Sequence, residues 1–261
     1  MIRALNTAAT GMASQETNVS TISNNIANVN TVGYKQKRAE FEDLLYETIT
    51  EAGARSSDTT QYNIGTQIGS GSKVSATRTI NQQGAPIITQ NAFDFMLNGE
   101  GYFGIVDPNG AIKYTRDGAF NVDNQGTIVN KDGYRLFPGI VIPPNTSKVH
   151  ISESGVVEAY FQNQQEPTSL GTIPVFTFVN PEGLRAEGKN LLGATRSSGQ
   201  AIQSVAGSEN AATINQGSLE ASNVSIMNEM TNLIKAQRAY EMNSKVMTIA
   251  DQMLQTVNNI R

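Results

Sequence analysis

The residues most suggestive of chemistry are Gly99, Gly101 and Gly104, a G-x-G-x-x-G spacing behind the run Phe93–Leu97. A dinucleotide site requires those glycines to open a helix whose N-terminus receives the pyrophosphate. Here Tyr102, Phe103, Ile105 and Val106 continue as strand, and Pro108 with Gly110 ends it. A tight strand connection is the expectation. A second near-match, Gly183 to Asn190, ends in Gly188-Lys189-Asn190. A phosphate loop needs Ser or Thr at the last position to hold Mg²⁺, and Glu187 would stand beside the phosphates. Gly193 interrupts any following helix. His150, with Ser152 and Glu153 nearby, lacks a G-x-S-x-G elbow and any second imidazole. Asp117, Asp123 and Asp132 recur at turn intervals and do not match a calcium loop. No cofactor, metal or catalytic set emerges, and the expectation is a protein that is not an enzyme.

Composition narrows the classes further. The 261 residues contain no cysteine, which removes disulfides, thiolate zinc sites and a thiol nucleophile. A net charge of -4 argues against a nucleic-acid or anionic-membrane surface. No apolar run approaches the ~18 residues of a membrane span, and residues 1–15 lack the apolar stretch of a cleavable leader. Charged residues are only 16% of the chain, while Asn, Gln, Thr and Ser supply 87 positions. Amides and hydroxyls are cheaper to desolvate than charges, so such a surface suits close contact with other protein.

Two helical patterns flank a different middle. Leu5, Met12, Val19 and Ile26 recur every seven residues, with Ala8, Gln15, Ile22 and Val29 three further on. That is a heptad seam over residues 1–33, with Gly33 as its stop. Asn24 and Asn28 lie opposite the stripe. At the other end, 219–261 reads as a second helix. There Ile226, Leu233, Tyr240, Met247 and Leu254 repeat every seven residues, and Met230, Ala236, Ala250 and Val257 fill in. Ser222, Asn223 or Ser225 could cap it, and Glu241 with Lys245 forms an i,i+4 pair.

The middle reads as β structure. Turn signals at Pro108-Asn109-Gly110, Asp117-Gly118, Asn124-Gln125-Gly126 and Asp132-Gly133 separate short strand-like runs. Further strands are predicted at 148–151, 156–161 and 173–179. Phe41, Leu44, Leu45 and Ile49 suggest a short helical stripe, and 50–90 reads as loop or extended connector. The predicted fold is α+β: long terminal helices pairing into a coiled-coil-like domain (1–45 and 215–261), an extended connector (46–90 and 200–214), and an all-β domain of short antiparallel strands (91–199).

Three stretches carry a resemblance. Residues 23–35, SNNIANVNTVGYK, resemble the signature of bacterial flagellar rod and hook proteins. It is carried by Asn24, Asn25, Asn28, Asn30, Thr31, Gly33, Tyr34 and Lys35. Residues 219–254 are similar to that family's C-terminal signature, including Met230, Leu233, Gln237, Arg238, Tyr240 and Asn243. LNGEGYFGI followed by YTRDGAFNVDNQG resembles its shared β motif. Gln237 to Lys245, and the stretch 46–71, look most like the distal-rod members of the family.

The resemblance implies a structural subunit that polymerises into the drive shaft carrying motor torque to the hook. Its termini would line a tube and its β-domain would lie outside. It implies export through the flagellar secretion apparatus without leader cleavage, a periplasm-spanning location, and no cofactor. The implied partners are copies of itself, proximal rod proteins, the hook protein, the rod cap and the P- and L-ring bushing, with no nucleic acid and no membrane insertion. The alternatives are another axial protein, such as a proximal rod or hook subunit, and, remotely, a nucleotide-binding enzyme.

Overall fold

The computed structural model describes residues 2–53, 62–161, 166–208 and 211–259. The chain divides into two compact units. One, the helical unit, combines Met1–Ala27, Lys37–Thr79 and Ser225–Arg261; the other, the β unit, combines Asn28–Gln36 and Ile80–Val224.

In the helical unit, α1 (Ile2–Ala27) packs against α2 (Ile226–Asn259). Both helices are rich in residues of modest helix propensity, and both accommodate threonine in the same way. Thr17 and Thr21 on α1, and Thr231, Thr248 and Thr256 on α2, donate their hydroxyls to carbonyls one turn back. That bond satisfies the polar group inside the helix. The buried positions of α1 are Ala8, Ser14, Ile22 and Asn25, small or polar except for Ile22. A Cβ on Gly11 would lie 2.8 Å from Asn243 Nδ2, so the helices approach closely there.

Two antiparallel ribbons complete this unit. Lys37–Asp43 pairs with Ser72–Thr79, with a bulge between Glu40 and Phe41, and Tyr46–Thr50 pairs with Thr66–Gly69. The first ribbon packs on α1, where Ser14 Oγ donates to the Ser72 carbonyl at 3.2 Å. Phe41, Leu44, Leu45 and Ile49 therefore belong to strands and their connection, not to a helical stripe. Their spacing mimics a helix, but a pairing partner some 30 residues later outweighs that local pattern. Part of the segment expected as open connector is this pairing partner. Residues 54–61, within the 46–71 stretch, lie outside the described residues.

The β unit is built around Tyr102–Val106, which pairs with Ile112–Thr115, Arg135–Leu136 and Pro174–Thr177. A nine-stranded sheet grows from it, ending in Arg185–Gly188, Phe120–Val122 and Ile202–Val205. A three-stranded sheet, Thr146–Ile151, Val156–Phe161 and Thr168–Thr172, adds Val149, Ile151 and Val157 to the same core. Phe95, Phe103 and Phe120 occupy its centre with ring centroids 5.5–6.5 Å apart. The short strands expected at 148–151 and 156–161 are present, and the one expected at 173–179 is confined to Pro174–Thr177.

Both helices are shorter than their patterns suggest. α1 stops at Ala27, six residues before Gly33, because Asn28 to Tyr34 folds into turns: Thr31 N–H donates to Asn28 O and Tyr34 N–H to Thr31 O. α2 starts at Ile226, since Ser218–Glu220 is a strand paired with Pro86–Ile88. Glu241 meets Arg238 rather than Lys245.

Candidate functional site

The N-terminal signature places its residues in two networks, one in each unit. In the helical unit, Asn25 is 1% exposed. Its Nδ2 donates to Lys37 O at 2.7 Å, and its Oδ1 accepts from Lys37 N–H at 2.9 Å. The same Nδ2 donates to Glu229 Oε2 at 2.9 Å. One carboxamide thus joins the last turn of α1, the first residue of a strand and the first turn of α2. Glu229 is buried as well, and its position at the positive end of α2 suits a carboxylate.

In the β unit, Gly33 adopts φ +68°, and a Cβ there would fall 2.6 Å from the Arg116 carbonyl carbon. Only glycine meets both conditions without strain. Gly33 N–H donates to Glu220 O at 2.8 Å, which brings Lys35 to the Glu220 side chain. Lys35 Nζ donates to Glu220 Oε1 at 2.5 Å and to Gln82 O at 2.9 Å. On the other side Arg116 Nη1 reaches Glu220 Oε2 at 3.2 Å, and its Nη2 donates to Gly99 O at 2.6 Å. All three side chains are at least nine-tenths buried. Two cations on one carboxylate leave an excess positive charge, which the carbonyls of Gln82 and Gly99 help to offset. Burial pushes the Lys35 ammonium below its ordinary range, Glu220 opposes that shift, and Arg116 adds to it. Such a cluster is a positional lock more than a source of stability.

The remaining signature residues are nearer the surface. Asn24 and Asn30 are exposed, while Asn28, Thr31 and Tyr34 are half-buried. Along the α1 seam, Ile22 is buried, whereas Leu5, Met12, Val19 and Ile26 are half-buried; Val29, also half-buried, lies beyond the helix end.

The α2 seam divides. Leu233, Asn243, Met247 and Leu254 are half-buried beside buried Ala236 and Ala250, but Ile226, Met230, Gln237, Arg238 and Tyr240 are exposed. Large apolar side chains also line the outside of α2: Met227 and Ile234 near its start, then Met242, Val246, Ile249 and Met253. Sequence periodicity missed Asn25, Glu229 and Glu220 as organising residues, because the Asn25–Glu229 and Lys35–Glu220 pairs span 204 and 185 positions.

The motifs with a chemical reading take structural roles. Gly99 and Gly101 have φ +115° and +150°, and Gly104 leaves room for the Phe176 ring within its strand. Lys189 and Asn190, at φ +54° and +62°, form the turn between Arg185–Gly188 and Leu191–Gly193. That is hairpin geometry, and no helix N-terminus follows it. His150 is exposed on a strand opposite Glu158. Asp117 accepts from Asn190 Nδ2 at 2.8 Å. Among the described residues no three His, Asp or Glu side chains gather to hold a metal, and no helix is long and apolar enough to cross a membrane. An open cleft of about 670 Å³ between Val122–Gly126 and Ile142–Val149 is lined mainly by loop residues and the exposed Lys148 and Asp123.

Comparison with known proteins agrees with this arrangement. Residues 5–35 match the family described as flagella basal body rod protein, 96–159 the flagellar hook protein FlgE/F/G D1 domain, and 215–260 the flagellar basal body rod FlgEFG protein C-terminal region. The chain is 47% identical to the flagellar basal-body rod protein FlgG of Caulobacter vibrioides, covering all of both chains. It is 44% identical to the protein of that name from Borreliella burgdorferi, covering 100% of this chain and 99% of the relative. The Bacillus subtilis FlgG is 36% identical, again over both full lengths. Terminal helices that pair, a β middle and these three matches in order define a structural subunit of the bacterial flagellum. Within that class, the chain belongs to the flagellar basal-body rod protein family.

Proposed function

We propose that the chain polymerises into the distal part of the rod, the shaft that passes motor torque to the hook. The observation that carries this reading is the large apolar surface left on α2. Met227, Ile234, Met242, Val246, Ile249 and Met253 are exposed there. Apolar side chains left outside in such number are surface for neighbours to cover. Repeating one heterologous contact that does not close generates a helical polymer.

On this reading the partners are further copies of the chain, the proximal rod proteins, the hook protein, the rod cap and the surrounding P- and L-ring bushing. The shaft spans the periplasm, and its subunits arrive through the flagellar export apparatus without leader cleavage. No reaction is catalysed. That the relatives of 47% and 44% identity carry the name flagellar basal-body rod protein favours the rod over the hook.

The test is electron microscopy of basal bodies carrying a labelled copy of this chain, with an Ile234→Asp variant alongside. Label along the distal rod is expected, with rods missing or truncated in the variant. Label confined to the hook, or full-length rods in the variant, would overturn the reading. Titration with nucleotides should release no heat; saturable heat would favour the enzyme alternative.

A further inference from the structure

The chain passes between its two units at 27/28, 36/37, 79/80 and 224/225. The stretches of the β unit beside the last three of these crossings meet at one side chain, Asn223. Its Oδ1 accepts from Gln36 N–H at 2.7 Å. Its Nδ2 donates to Ile80 O at 2.9 Å and to Gln82 O at 3.0 Å. Backbone bonds close the same ring of contacts: Ile80 N–H donates to Gln36 O at 2.8 Å, and Ala221 N–H to Ala85 O at 2.9 Å. The Glu220 carboxylate extends it, taking Gly84 N–H at 3.0 Å beside Lys35. Gly84 permits the approach, since a Cβ there would fall 1.9 Å from Ala221 O.

Three separate stretches of chain, 33–36, 80–85 and 220–223, are therefore cross-bonded. The chemistry of the junction calls for a short carboxamide. It must donate twice and accept once from a single side chain, which Asp, Ser and Leu cannot do. Asn223 also stands just before α2, where an N-cap is expected, yet its side chain is committed to the junction instead.

We propose that Asn223 is a positioning residue whose carboxamide makes the three stretches move as one joint, so that none can loosen without the others. The inference concerns residues of the β unit in the soluble chain, and it stands or falls independently of the rod reading.

Amide exchange on the full-length soluble protein tests it, comparing wild type with Asn223→Ala and Asn223→Asp. In Asn223→Ala, exchange at Gln36 and Ile80 should rise together by about tenfold, the scale of one lost hydrogen bond. Phe103 and Ile105 in the sheet core should keep their wild-type rates. Asp keeps the acceptor for Gln36 but loses both donors, and exchange at Gln36 should still rise together with that at Ile80, because neither stretch loosens alone. Rates at Gln36 and Ile80 within twofold of wild type in the Ala variant would overturn the proposal. A rise in only one of the two stretches, or a uniform rise that includes Phe103 and Ile105, would overturn it as well. In the last case Asn223 would set general stability and not a joint.

Discussion

Asn25 and Glu229 meet in a 2.9 Å hydrogen bond between the last turn of one terminal helix and the first turn of the other, 204 residues apart in the chain. Because Asn25 also holds both the N–H and the C=O of Lys37, the pair decides where α1 ends and which turn of α2 stands beside it. An apolar seam alone tolerates sliding by a heptad. A buried polar pair in such a seam penalises every other register.

Substitution at Asn25 should therefore cost more than its size suggests. Asn25→Ala is expected to destabilise the soluble protein by about 1–3 kcal/mol, since it leaves buried groups without this partner. Asn25→Asp should be worse, because it sets a second carboxylate against Glu229. The exposed Asn30→Ala should be near neutral. Thermal and urea unfolding followed by circular dichroism rank the three; equal midpoints for Asn25→Ala and wild type would contradict the role.

Gly33 and Gly110 offer a controlled comparison. Both have positive φ, at +68° and +79°, but a Cβ meets nothing within 4 Å at Gly110 and meets the Arg116 and Asp117 backbone at Gly33. Gly110→Ala should cost only the backbone preference, about 1–2 kcal/mol. Gly33→Ala adds a collision with main chain that cannot rotate away, so its urea midpoint should fall further. If the two variants unfold together, the close approach at Arg116 is unimportant.

Alkaline unfolding should be sensitive to Tyr102. Burial favours its neutral phenol and raises its pKa above the ordinary 10.0, while the nearby Arg116 guanidinium works in the opposite direction. A raised folded-state pKa means the native state holds its proton longer than the unfolded chain does. That contribution is complete below about pH 10 and is lost as pH climbs through the folded value. Lys35 acts oppositely in the same range. Its folded pKa lies below 10.5, so the unfolded chain binds more protons there and the stability due to Lys35 rises with pH. Tyr102→Phe should move the base-induced unfolding midpoint to higher pH, which a base titration monitored by far-UV circular dichroism checks; an unmoved midpoint would contradict it.

The ribbon Tyr46–Thr50 with Thr66–Gly69 exposes Tyr46 and Ile49, and the residues flanking it expose Leu45, Tyr62 and Ile64. A lone two-stranded ribbon is marginal in water, and these side chains suit contact with a neighbouring subunit that resists the sliding needed for bending. Limited proteolysis should cut at the exposed Tyr62 and Ile64 in the monomer and spare them in assembled rods. Deleting 46–71 should leave a polymer that bends like a hook. Straight polymer from the deleted chain would assign stiffness to another region.

Much of this architecture is legible in the sequence by itself. Heptads in α1 and α2 are visible because a helix is written by residues three and four apart. The strands around Asn109-Gly110 and Gln125-Gly126 are visible because tight turns demand particular residues locally. The signature from Asn24 to Lys35 likewise points to the family without coordinates.

Tertiary structure decided what depends on distant partners. Lys37–Asp43 became a strand because Ser72–Thr79 pairs with it, although Phe41, Leu44 and Leu45 are spaced like a helix face. Which seam residues are covered was also settled in three dimensions. Ala236 and Ala250 lie inside, and Met230 and Tyr240 outside, and at Gly11 the helices come close enough that a Cβ would meet Asn243. Asn25, Glu220, Asn223 and Glu229 look like ordinary polar residues in the sequence. Their roles come from burial beside groups 12 to 204 positions away, where an unmet hydrogen bond is expensive and no local pattern records the partner.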